Sequence, residues 1–136
     1  MIIVINTNIL ISALIRDSLS RRIIVGSGLN LVYPEVSMHE VRKYEKMIME
    51  KSGLSKDELD RLLVRLLDYI VLVPTEVIKE HLQKAKSIMH YIDPKDVVFI
   101  AAALSFESPI IWSDDKDFDK QDKIKVVKTN QLAKLF

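Results

Sequence analysis

Met1-Ile2-Ile3-Val4-Ile5-Asn6-Thr7-Asn8-Ile9-Leu10 opens the chain: an apolar, β-branched run that stops at three short polar residues before apolar ones return. A continuous apolar run of this length is what a strand buried on both faces requires, and such strands belong to parallel sheets covered by helices. Four similar runs follow at Leu29–Tyr33, Ile70–Val73, Ile110–Trp112 and Lys125–Val127, and Ile70–Val73 also reads as buried on both faces. The segments between them are of helix length, with apolar residues three and four apart. Strand alternating with helix implies parallel strands joined by right-handed crossovers. The expected fold is therefore α/β, a three-layer doubly wound five-stranded parallel sheet.

The helix signals support this order. Pro34 suits the first turn of a helix from about Val36 to Met49. Ser55 and Glu58 form a capping box for a helix to about Leu67, with Leu59, Leu62, Leu63 and Leu66 on one face. A further helix spans about Glu76 to Met89. Asp93-Pro94 reads as N-cap and first helical residue of one reaching about Ser105, and Thr129 caps a last short helix, Gln131 to Leu135. With no repeat and no Pro/Gly-rich linker, the 136 residues read as a single domain, 1–136.

Composition narrows the function classes. Hydrophobic residues make up 49% and charged residues 29%, which describes a core-forming chain. Cysteine is absent, which removes disulfides, thiolate zinc sites and a cysteine nucleophile, and suits a reducing compartment. The apolar start has no preceding basic residue, is interrupted at Asn6, and is shorter than the roughly 20 residues that span a bilayer. The protein is read as cytoplasmic, with no membrane partner. Net charge is +1, so any basic surface is local, and clusters such as Arg16, Arg21 and Arg22 or Arg42, Lys43 and Lys46 read as solvated faces. His39, His81 and His90 lack ligand-like spacing, and there is no Gly-rich phosphate loop or serine elbow.

In a doubly wound sheet, ligands bind beyond the carboxyl ends of strands where strand order reverses. Acids gather there. Ser113-Asp114-Asp115-Lys116-Asp117 follows the fourth run, and Asp93 and Asp96 open the helix that leads into it. Carboxylates held about 4 Å apart repel by on the order of 4 kcal/mol at an effective dielectric of ~20. A divalent cation reverses that sign, and hard oxygen ligands suit Mg²⁺ or Mn²⁺. Plainer readings compete: Asp93 as a helix cap, Asp96 as its capping-box partner, the later aspartates as a turn, and Glu35 and Glu40 as solvated surface.

Three stretches together resemble the PIN-domain nucleases. Val4-Ile5-Asn6-Thr7-Asn8-Ile9-Leu10 is similar to the family's strand, Asp-Thr-Asn and short apolar helix. Asp96-Val97-Val98-Phe99-Ile100-Ala101-Ala102 resembles its acid followed by an alanine-rich helix. Trp112-Ser113-Asp114-Asp115-Lys116-Asp117-Phe118 resembles its Thr-Gly-Asp-Lys-Asp-Phe element, with Asp114 in the glycine place, and Glu40 falls where the family has an acid after the second strand. The resemblance covers essentially the whole chain. It implies a central first strand beside the fourth and a metal-dependent endoribonuclease cutting RNA with Mg²⁺ or Mn²⁺. It further implies a homodimer, and the toxin of a toxin–antitoxin pair with an antitoxin protein as partner. The site residues so implied are Asn6, Glu40, Asp96, Asp115 and Asp117, the first four as metal ligands and Asp117 as an auxiliary acid. Thr7 and Ser113 would orient them, and Asn8 would be a cap or a residue supporting the ligands from behind.

Asn6 departs from the pattern, since the family nearly always has aspartate there. The alternative function is accordingly a catalytically weakened PIN-like domain that binds RNA or protein without cutting. A receiver or phosphatase domain fits less well, because neither Asn6 nor Asn8 supplies the acid those folds need after the first strand.

Overall fold

The computed structural model describes residues 1–135. Five strands lie parallel: β1 (Ile2–Ile5), β2 (Asn30–Pro34), β3 (Ile70–Val73), β4 (Ile110–Trp112) and β5 (Lys125–Val127). Their order across the sheet is β3-β2-β1-β4-β5, so the expected doubly wound α/β sheet is present with β1 at its centre. Successive residues of a strand face opposite sides. Ile3, Val4 and Ile5 are all buried, so helices cover both faces of β1.

One set of helices is α1 (Thr7–Ile15), α2 (Leu19–Gly26), α3 (Met38–Lys43), α4 (Glu45–Ser52), α5 (Lys56–Leu67) and α8 (Thr129–Ala133). In it, α1 packs on α2, α3, α4 and α5, and α2 on α8. The other set is α6 (Thr75–Met89) and α7 (Val97–Leu104), packed on each other, with α7 against β1, β2 and β4. Ala101, Ala102 and Ala103 let α7 sit close: all three are fully buried. No helix among the described residues is long and apolar enough to cross a membrane.

Four local expectations change. β3 is an outer strand with Val71 68% exposed, because an apolar run reports hydrophobicity and not position in the sheet. Pro34 ends β2 instead of opening a helix, and the expected helix at Val36–Met49 is three pieces: a 3₁₀ turn (Glu35–Ser37), α3 and α4. They break at Tyr44, where no proline or glycine accounts for it; α4 ends at Gly53, whose φ of 74° is the left-handed conformation glycine favours at a helix end. Asp93-Pro94 opens a 3₁₀ turn (Pro94–Asp96) that leads into α7. The Ser55–Glu58 capping box forms as expected. Leu59, Leu63 and Leu66 beyond it belong to the chain's own core.

The chain moves outward from β1 to β3, then crosses back to place β4 and β5 on the other side. Strand order therefore reverses between β1 and β4. Ile5 pairs with Trp112 in the last rung, and Asn6 N–H donates to the Trp112 carbonyl at 3.3 Å. The polar residues that follow both strands thus emerge side by side.

Candidate metal centre

Asn6 ends β1 and starts α1. Its Oδ1 accepts from Ile9 N–H at 3.3 Å, which makes Asn6, and not the exposed Asn8, the N-cap of α1. Asn6 is 3% exposed. Thr7, one residue on, is buried against the hydroxyl of Tyr33 at 2.8 Å and donates to Glu40 Oε1 at 3.3 Å. The Tyr33 hydroxyl donates to the Ser37 carbonyl at 2.9 Å. Burial keeps that phenol protonated well above its ordinary range, and the nearby Glu40 charge adds to the shift. A chain from β2 through α1 to α3 therefore positions the Glu40 carboxylate.

The second half of the site comes from the turns before α7 and after β4. Asp93 Oδ1 accepts from Lys95 N–H at 3.0 Å, capping the Pro94–Asp96 turn. Asp115 Oδ1 accepts from Asp117 N–H at 2.9 Å, capping a second 3₁₀ turn, Lys116–Lys120. Ser113 Oγ accepts from Asp115 N–H at 3.0 Å and so fixes where that acid starts. Each of these two caps occupies one carboxylate oxygen and leaves the other uncommitted. Asp117 Oδ1 receives the Lys120 ammonium at 3.0 Å.

The two turns bring Asp93, Asp96, Asp115 and Asp117 together, each offering an oxygen, and these oxygens all lie within 4.8 Å of one another. Asp96 is the buried member. Its Oδ2 is the one buried side-chain polar atom among the described residues with no hydrogen-bond partner. Burial first, then the charges of Asp93 and Asp115, raise its pKa from 3.8 to about 7; the Asp93 carboxyl and the Asp117 charge add to the shift. An orphaned oxygen on a buried acid, beside three more acids, is what a bound cation resolves. All the donors are hard carboxylate oxygens, which suits Mg²⁺ or Mn²⁺ and not a soft metal. The residues present therefore fit the ion.

A cavity of about 150 Å³ is lined by Asp93, Asp96 and Asp115 together with Asn6, Glu40 and Tyr44. At roughly 30 Å³ per water this holds an ion with a few waters. Of the residues singled out in the sequence, Asp96, Asp115 and Asp117 fall in the tight cluster, while Asn6 and Glu40 line the cavity outside it.

Asp93 is the addition: its cap role explained it fully in the sequence, and the two roles coincide because capping uses only one of its oxygens. Lys95 and Tyr44 also line the cavity, and no sequence signal marked them. Asp114 takes no part. Its carboxylate accepts from Thr129 N–H at 2.8 Å and from the Thr129 hydroxyl at 2.7 Å. Thr129 is thus the first residue of α8 instead of its cap.

A family model described as a PIN domain matches residues 4–133, nearly the whole chain. No curated protein and no solved structure matches it.

Proposed function

The chain belongs to the PIN-domain family, and from that premise we propose that it is a metal-dependent endoribonuclease whose reaction centre is the four-aspartate cluster. Members of this family are in general metal-dependent nucleases. The observation that carries the proposal is Asp96 Oδ2, buried and unpartnered among carboxylates. A group with no hydrogen bond and a raised pKa is costly in a resting fold and useful at a reaction centre.

In this reading Asp96, Asp115 and Asp93 would hold Mg²⁺ or Mn²⁺, with Glu40 reaching it directly or through water and Asp117, paired with Lys120, beside them. Bound there, such an ion would supply Lewis-acid stabilisation of a phosphoryl oxygen and would lower the pKa of a water. The protein's own part is placement. Backbone N–H groups clamp one oxygen each of Asp93 and Asp115, so neither carboxylate reorganises when charge develops. Thr7 holds Glu40 in the same way. Burial and the neighbouring carboxylates favour the protonated form of Asp96 near neutral pH, and holding an ion would require it deprotonated. Lys95, which also lines the cavity, would offer a cation to a phosphate there.

The choice of RNA rests on the family resemblance, as do the toxin role, the antitoxin partner and the homodimer; the cytoplasmic location rests on the absence of cysteine and on the short, interrupted apolar start. The second reading, a non-cleaving binding module, is favoured by Asn6, whose amide oxygen is engaged by Ile9 N–H and brings no charge. Incubation of a fluorescent RNA with Mn²⁺ separates the two. The nuclease reading expects cleavage that a chelator stops and that Asp115→Asn lowers by at least about a hundredfold, comparable to removing one electrostatic stabiliser of the transition state. Cleavage by Asn6→Asp alone, with the parent protein inert, supports the binding module instead.

A further inference from the structure

Four arginines from three elements converge on one groove. Arg16 follows α1, Arg21 lies in the first turn of α2, and Arg61 and Arg65 stand one turn apart on α5. The groove holds about 520 Å³, and Glu58 is the one acid lining it. That carboxylate accepts from Ser55 N–H at 3.0 Å to close the capping box and keeps its charge, which acts with that of Arg61, so the groove carries four cations against one anion. None of the four arginines forms a salt bridge with a described carboxylate. Arginines elsewhere do: Arg22 pairs with Asp17, and Arg42 with Glu45 and Asp60. Backbone carbonyls hold two of the groove's guanidinium groups by Nε alone, Arg21 on Ala13 at 2.7 Å and Arg61 on Asp57 at 3.3 Å. Their terminal nitrogens make no hydrogen bond to a described group. Gathering four unpaired cations is unfavourable unless a polyanion enters, and the guanidinium fork matches a phosphate.

The groove also leads somewhere. Arg16 lines a neighbouring depression of about 320 Å³ along with Asn8, Ser12 and Lys51, and Asn8 in turn lines the acidic cavity. Asn8 and Ser12 lie one turn apart on α1 and Arg16 follows directly after it, so the run from Asn8 to Arg16 spans about 12 Å at 1.5 Å per helical residue. At a stacked rise of about 3.4 Å per nucleotide this is roughly three to four nucleotides.

We propose that this arginine groove binds the phosphate backbone of a single-stranded nucleic acid whose cleavage point lies at the aspartate cluster, three to four nucleotides away along α1. The proposal rests on the nuclease reading for the second half of that statement. An acidic protein segment would gain the arginines but has no use for a track that ends at four carboxylates, whereas a nucleic acid uses both ends.

Anisotropy of a labelled oligouridylate of about twelve nucleotides, titrated in chelator so that nothing is cut, tests the groove directly. Arg61→Gln/Arg65→Gln should bind at least about tenfold more weakly, with the slope of log K against log salt reduced by about 0.7 for each phosphate no longer neutralised. Lys79→Gln/Lys86→Gln on α6 removes the same charge outside the groove and should stay within about twofold of the parent. Arg16→Gln, outside α5, should weaken binding by a route that does not depend on that helix. The groove is refuted if the arginine pair binds like the parent or if the α6 pair weakens binding equally. Displacement of the oligonucleotide by a poly-glutamate peptide as readily as by unlabelled RNA also overturns it. The nuclease reading fails separately: a parent protein that binds through its arginines yet never cuts with Mn²⁺ ends that reading alone.

Discussion

Asp96 sits on the carboxyl side of a strand reversal with one oxygen buried and unpartnered, and its proton affinity links stability to pH. A carboxyl whose folded pKa is near 7 and whose unfolded value is 3.8 binds more proton folded than unfolded between those limits. Without metal, its contribution to stability is therefore complete below about pH 4 and is lost as pH rises to about 7. Asp96→Asn should be more stable than the parent at pH 8 in chelator, by a few kcal/mol at most, with the difference fading toward pH 4 in urea titrations. Excess Mn²⁺ should reverse the ranking, since only the parent gains binding energy. A variant less stable than the parent at pH 8 in chelator would mark Asp96 as a structural residue. Asn6 makes the complementary case. Aspartate caps a helix as well as asparagine does, so Asn6→Asp keeps α1 while adding a charge beside the cluster. Mn²⁺ binding should tighten at least tenfold, about 1.4 kcal/mol. Equal affinities by calorimetry would put Asn6 beyond the ion's reach. At this scale crowding draws attention to Asp93, Asp96, Asp114, Asp115 and Asp117 together, and the family resemblance singles out Asp96, Asp115 and Asp117. Asp93 is set aside in the sequence because a cap role suffices to explain it, and which oxygen a cap leaves over is not a property of sequence.

Elements show where local signals suffice and where they do not. The Ser55–Glu58 capping box and the apolar strand cores are legible because each is set by neighbours in sequence. The partner of Asp114 is not, since Thr129 lies 15 residues away and meets it only because β4 and β5 pair. Trp112 Nε1–H donates to the same threonine hydroxyl at 2.9 Å, so the end of β4 and the start of α8 share one polar joint. Asp114→Ala removes both acceptors and should cost about 1–2 kcal/mol in chemical unfolding while leaving Mn²⁺ affinity unchanged. Loss of metal binding in that variant would return Asp114 to the site. The break at Tyr44 also escaped the pattern, because apolar spacing continues through it; its consequence is to leave Tyr44 lining the acidic cavity.

Across the whole molecule, function follows from strand order. Residues 6, 40, 93, 96, 115 and 117 are scattered along the chain, yet crossing from β3 back to β4 places their elements around one crevice. The alternation of strands and helices made the sheet legible, and the strand-end rule made the crevice legible, but neither ranked β3 as an edge. The same assembly gathers acids at the crevice and arginines beyond α1, opposite charges on one continuous surface. All of this depends on the acids being a metal site. Calorimetric titration of Mn²⁺ into the parent protein, Asp96→Asn and Asp115→Asn at pH 8 measures that directly. Saturable binding by the parent, weakened at least tenfold in both variants, is the expected result; no binding by the parent, or equal binding by all three, contradicts it.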